Sequence, residues 1–158
     1  MFKDTLEEVD NRAELTIAGS YRRRKKDSGD IDILLKATKK ETYEKFIDSL
    51  KEKGYLVDDL ARGTKKYMGM GKIDSSPCHR RIDIMYTKPE EYPFAVLYFT
   101  GSKEFNVKMR ADLLERGMTL NEHSLKDTET KKPVDHKFVS EEDIFSYLGM
   151  EYVHPCDR

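Results

Sequence analysis

Residues 28–35 read Ser-Gly-Asp-Ile-Asp-Ile-Leu-Leu, and the alternation of acid with isoleucine suits a β-strand and little else. Side chains two apart on a strand share a face, so Asp30 and Asp32 project together while Ile31 and Ile33 turn to a core. Two carboxylates held side by side repel, a cost that falls when a cation lies between them. Arg81-Ile82-Asp83-Ile84 has the same texture and supplies a third acid. If the two strands are neighbours, three carboxylates meet at one edge of a sheet. An Asp-x-Asp pair alone reads more readily as an amphipathic strand with its acids in water. Joined by a third acid, it suits divalent cations such as Mg²⁺, which take a few carboxylate oxygens plus substrate phosphates.

The residues before the acids suit phosphate. Leu15 to Ala18 is an apolar strand that ends at Gly19-Ser20, where a glycine lets the backbone approach a ligand and a turn aims N–H groups outward. Arg23 brings a guanidinium to the same place, and Ser28-Gly29 would close the cradle. Residues 3–11 predict a helix. Tyr43, Phe46, Ile47 and Leu50 predict another over 40–53, with Gly54 as its stop. Strands are expected at Tyr55–Leu60, Lys66–Ile73 and Arg81–Tyr86, with a turn at Arg62-Gly63.

Beyond Pro89 the texture becomes helical. Tyr92–Phe99 breaks at Gly101, and Phe105, Met109 and Leu113 mark one face of a second helix. Short strands at Met118–Leu120 and His123–Leu125 and a closing helix through Ile144, Tyr147 and Leu148 follow. The expected class is α+β: a mixed sheet with flanking helices over residues 1–89, then a small helix and hairpin lobe over 90–158.

A formal net charge of −1 over 158 residues excludes a histone-like, tail-driven binder of nucleic acid. Local charge is uneven. Arg22–Lys26 is a run of five basic residues, His79-Arg80-Arg81 is a second cluster, and Lys103, Lys108, Arg110 and Arg116 form a third. Such patches attract phosphate, although each alone reads more readily as solvated surface. Cys78 and Cys156 do not make a disulfide framework, and with no signal peptide ahead of them a reducing compartment is expected. With His79 and His154 they lack the spacing of a zinc site. No apolar run reaches the roughly 20 residues needed to span a bilayer.

Gly19-Ser20-Tyr21-Arg22-Arg23 leading to Ser28-Gly29-Asp30-Ile31-Asp32 resembles the nucleotidyltransferase signature of the family X DNA polymerases, of the polymerase beta type. The resemblance continues through Gly63, Lys66-Tyr67-Met68-Gly69, His79-Arg80-Arg81-Ile82-Asp83-Ile84 and Leu97-Tyr98-Phe99-Thr100-Gly101-Ser102. It runs on through Phe105-Asn106, Met109-Arg110-Ala111 and Asn121-Glu122, and closes at Glu142-Asp143-Ile144-Phe145.

It implies a DNA-directed DNA polymerase that adds dNMP to a primer 3′-hydroxyl, filling gaps in base excision repair. Two Mg²⁺ ions, with Mn²⁺ as a substitute, would be held by Asp30, Asp32 and Asp83, with Asp83 close to the primer hydroxyl. Gly19, Ser20, Arg23, Ser28 and Gly29 would contact the triphosphate. Tyr98, Phe99 and Gly101 would pack against the incoming sugar, and Asn106 would read the minor-groove edge of the new base pair. Lys66 and Arg81 would meet the primer strand and Arg110 the template. The Gly101-Ser102 bond would be cis. Residues 1–89 would be the palm and 90–158 a nucleotide- and template-contacting subdomain. The partners implied are gapped or primer-template DNA and a dNTP, acting on a monomer in the nucleus or a viral factory.

Three positions depart from the polymerase beta pattern. Lys103 replaces an acid near the incoming base, Met85 replaces an arginine of a polar switch at the carboxylates, and His123 replaces a tyrosine. The chain also opens close to its first strand, so neither lyase activity nor a firm grip on a downstream 5′-phosphate is expected. Two other readings stay open: a nucleotidyltransferase with little template dependence, and a nucleotide- or DNA-binding fragment that is inactive without further domains.

Overall fold

Helical spacing of Tyr43, Phe46, Ile47 and Leu50 gives a helix whose apolar stripe is wholly buried, and the rest of the first unit is assembled on it. The computed structural model describes residues 2–26, 29–72 and 78–158. The chain forms two compact units, Met1–Ala18 with Asp27–Lys88 and Gly19–Lys26 with Pro89–Arg158. Gly19–Lys26 thus belongs with the later residues, although it lies between two strands of the first unit.

In the first unit the elements are α1 (Phe2–Val9), β1 (Glu14–Ile17), β2 (Asp30–Lys36), α3 (Lys40–Glu52), β3 (Leu56–Arg62), β4 (Lys66–Lys72) and β5 (His79–Thr87). α2 (Gly19–Arg22) belongs to the second unit. The sheet order is β1-β2-β5-β4-β3. β2 and β5 run parallel at its centre, and every other pair is antiparallel. Ile31, Ile33 and Leu35 of β2 and Ile82 and Ile84 of β5 pack with Phe2 and Leu6 of α1 and the stripe of α3. The period of two then puts Asp30, Asp32 and Asp83 on the opposite face.

α3 ends in a Schellman motif. Gly54, at φ 77°, donates its N–H to the Lys51 carbonyl, and Tyr55 donates to Leu50. Gly71 is required by packing, because a Cβ there would sit 2.6 Å from the Tyr55 carbonyl oxygen and press into Ile82. The turn at Arg62-Gly63 is present, with Gly63 N–H donating to the Lys66 carbonyl at 2.8 Å. Ile73, the expected end of β4, lies outside the described residues.

The second unit holds α2 (Gly19–Arg22), α4 (Tyr92–Thr100), α5 (Lys103–Glu115), β6 (Met118–Leu120), β7 (Leu125–Asp127), α6 (Glu141–Tyr147) and a 3₁₀ turn at Pro155–Asp157. Its core joins Phe94 and Leu97 of α4, Met109 and Leu113 of α5, Leu120 and Leu125 of the hairpin, and Phe138, Ile144, Phe145 and Leu148. Two details differ from expectation. Gly19-Ser20 opens one turn of helix rather than a plain turn. The second hairpin strand begins at Leu125 rather than His123, because Asn121 Oδ1 accepts the N–H groups of both His123 and Ser124 and holds them in the turn.

Ser102 caps α5 by accepting the Phe105 N–H, and Ser140 caps α6 by accepting that of Asp143. Gly101 separates α4 from α5 at φ 68° and ψ −151°, a region open essentially to glycine alone, and its bond to Ser102 is cis.

Candidate active site

Parallel pairing of β2 with β5 sets Asp32 directly beside Asp83 and Asp30 beside Arg81. Because residues two apart share a face, all four side chains lie on the face turned from α1 and α3. Asp83 is buried at 4% exposure, Asp32 is half-buried and Asp30 is exposed. Arg81 meets Asp83 with two bonds, Nε to Oδ1 at 3.0 Å and Nη2 to Oδ2 at 2.9 Å. The pair raises the Arg81 guanidinium further above its ordinary value.

Among the described residues Asp32 has no such partner. Burial pushes its carboxyl above the usual range, and the charges of Asp83 and Asp30 push it further, with Lys66 and Arg81 offsetting part of the effect. Lys66 lies on β4 opposite Met85, and Met68 lies opposite Asp83.

The carboxylates fit hard divalent cations by residue type and register. Three acids share one face, and the raised Asp32 marks negative charge that burial and repulsion both oppose. As the side chains stand, no group of three acids, histidines or cysteines among the described residues closes on a single point. Both oxygens of Asp83 are turned to Arg81, so the acids share a face without yet forming a closed ligand set.

In the second unit, Arg22 and Arg23 turn inward. Arg22 donates to the Thr100 hydroxyl at 2.7 Å and pairs with Glu141, while Arg23 Nη1 donates to the Thr100 carbonyl at 2.6 Å. Arg23 Nε is buried with no hydrogen-bond partner among the described residues. Gly101 is what lets that arginine lie close, since a Cβ there would be 3.0 Å from Arg23 Nη1. Gly19 has φ 63°, whereas Gly29 is exposed and a Cβ there would meet nothing within 4 Å. Ser28 lies outside the described residues.

Tyr98 and Phe99 stand edge to face, 4.9 Å between centroids. Asn106 Nδ2 donates to the Tyr98 carbonyl at 2.8 Å, and the Arg110 guanidinium lies over the Tyr98 ring. Tyr98, Asn106 and Arg110 line an open cleft with Asn121, together with Phe94, Leu97, Met109 and Leu120.

Sequence reasoning missed Glu141. It is 4% exposed and lies between Arg22 and Arg158, whose Nη1 donates to it at 2.6 Å among the rings of Phe105, Phe145 and Tyr152. In sequence it is one acid of three at a helix start and carries no signal of burial.

A mixed sheet presenting paired aspartates, with a separate glycine- and arginine-bearing turn, defines a nucleotidyltransferase-type α+β protein. Residues 1–89 match the family model described as DNA polymerase beta palm, and residues 95–158 match that described as DNA polymerase beta thumb. Rat DNA polymerase lambda is 34% identical over 89% of this chain, which spans 28% of that protein. DNA nucleotidylexotransferase of Xenopus laevis is 31% identical over 92% of this chain and 36% of its own length. Human DNA-directed DNA/RNA polymerase mu is 42% identical over 49% of this chain and 16% of its own length. The chain belongs to the DNA polymerase beta family, family X.

Proposed function

We propose that this chain is the catalytic part of a DNA-directed DNA polymerase that adds dNMP to a primer 3′-hydroxyl. The observation that carries the reading is the β2–β5 register, which sets Asp32 beside Asp83 with Asp30 on the same face. Asp30, Asp32 and Asp83 would hold two Mg²⁺ ions, which when bound supply an activated hydroxyl and neutralise the triphosphate.

The remaining work falls to the chain's own residues. Asp83 would orient the primer hydroxyl once its pair with Arg81 opens and frees the carboxylate. Arg81 would then be available to the primer terminus, and Lys66, opposite Met85 on the neighbouring strand, to the primer backbone. Arg23, whose buried Nε has no partner among the described residues, and Gly29, which neither packing nor a positive φ demands, suit phosphate oxygens. Tyr98, Phe99 and Gly101 would pack against the sugar, while Asn106 and Arg110 address the new base pair and the template. Residues 1–89 would serve as palm and 90–158 as the nucleotide- and template-contacting part. Gap filling in nuclear or viral-factory repair, by a monomer, is the setting this chemistry fits.

The test is single-nucleotide extension of a labelled primer on a gapped duplex with Mg²⁺ at low salt. Asp83→Ala is expected to lower the rate by about three orders of magnitude or more. Equal extension by both proteins would remove Asp83 from the site. Extension that persists without a template strand would favour a nucleotidylexotransferase, the activity named for one of the relatives.

A further inference from the structure

The run Arg22–Lys26 is split by the fold. Arg22 and Arg23 are half-buried and tied to Thr100 and Glu141, whereas Arg24, Lys25 and Lys26 are all exposed. Among the described residues those three make no ion pair. Their backbone is nevertheless fixed, since Arg23 N–H donates to the Gly19 carbonyl, Arg24 N–H to Tyr21 and Lys25 N–H to Ser20, at 3.2, 3.0 and 3.0 Å. Arg24 holds φ 59°, a left-handed conformation that glycine would adopt at no steric cost.

Three adjacent cations on a braced turn, in a chain of net charge −1, form a local concentration of positive charge that serves no contact within the described protein. In sequence they lie between Arg23 and Gly29, the two residues the proposed function gives to the triphosphate.

We infer that Arg24, Lys25 and Lys26 extend the phosphate cradle outward into a polyphosphate-binding turn, which takes the distal phosphates of a nucleotide and the pyrophosphate that leaves it. The inference rests on the proposed reading of residues 19–29. Its ligand class is a linear, highly charged phosphate chain, for which several adjacent cations add attraction that a single phosphodiester would not repay. Nucleotides with longer phosphate chains, such as nucleoside tetraphosphates, would gain from it more than triphosphates.

The direct test is calorimetric titration of the whole protein with inorganic tripolyphosphate, then pyrophosphate, with Mg²⁺ present. The triple variant Arg24→Gly, Lys25→Ser, Lys26→Ser is expected to bind tripolyphosphate about ten-fold more weakly or worse, from the loss of three exposed ionic contacts. A charge-matched control, Lys131→Ser, Lys132→Ser, Lys137→Ser, removes three exposed cations of the same unit and is expected to bind within two-fold of the parent. Thermal unfolding midpoints check that each variant folds.

Tripolyphosphate affinity kept within two-fold in the triple variant, or lost equally in the control, would overturn the inference. Loss of single-stranded oligonucleotide binding with tripolyphosphate binding intact would overturn it too, and would assign the turn and the exposed Tyr21 beside it to nucleic acid. The titration needs no catalysis, so its result stands whether or not the Asp83→Ala comparison supports a polymerase.

Discussion

Gly71 and Gly29 lack a side chain for opposite reasons. At Gly71 the space is already taken, by the Tyr55 carbonyl oxygen at 2.6 Å and by Ile82. Gly71→Ala is therefore expected to cost about 1–3 kcal/mol in urea unfolding, the usual penalty of overpacking. At Gly29 a Cβ would meet nothing within 4 Å, so Gly29→Ala is expected to leave stability within about 0.5 kcal/mol of the parent. Primer extension should fall all the same, chiefly as a raised KM for dNTP, if close approach of phosphate is what the glycine permits. Unchanged extension kinetics would take Gly29 out of the cradle. Residues of the first kind were not legible in the sequence, because nothing in Lys66-Tyr67-Met68-Gly69-Met70-Gly71 says which neighbour will fill the space. Gly29 was legible, because it stands against the acid and isoleucine alternation that begins one residue later.

Single elements show where local pattern suffices and where it fails. α3 was readable from end to end, since its stripe and its stop at Gly54 are both local. The face assignment of Asp30, Asp32 and Asp83 was readable for the same reason, while their register, Asp32 beside Asp83, depends on pairing across about fifty residues. The Arg81–Asp83 pair could not be foreseen, because two residues of one face were each given to a separate task. α6 hides more. Its Glu141 has ordinary helix-start neighbours in sequence, yet in the fold it is the shared anion of Arg22 and Arg158. Removing it strands two inward-turned guanidiniums, one of them fully buried. Glu141→Ala is expected to destabilise the protein by about 3–5 kcal/mol in chemical denaturation. A change under about 1 kcal/mol would mean that the two cations find water or other acceptors.

For the molecule as a whole, stability at high pH is expected to depend on two tyrosines on the helix-packed side of the sheet, away from the carboxylates. Tyr43 and Tyr67 are buried in the first core at 1% and 0% exposure. Tyr43 donates its hydroxyl to the Gly63 carbonyl, and Tyr67 donates to Asp59, which also holds Lys51. Burial pushes the Tyr43 hydroxyl up to about 12, and burial with the bond to Asp59 pushes Tyr67 up as well. A phenol raised on folding contributes stability that is complete below its unfolded value near 10 and is lost as pH climbs toward the folded value. Unfolding free energy is therefore expected to fall from about pH 10 upward, with a slope that reports both rings. Tyr43→Phe removes one titrating group along with its bond to Gly63. It should start lower at pH 8 and decline less steeply between pH 10 and 12, so that the two curves converge. Tyrosine absorbance followed through the same range checks the cause, since these two rings should ionise only as the protein opens. Parallel curves for parent and variant would show that Tyr43 does not carry the alkaline loss.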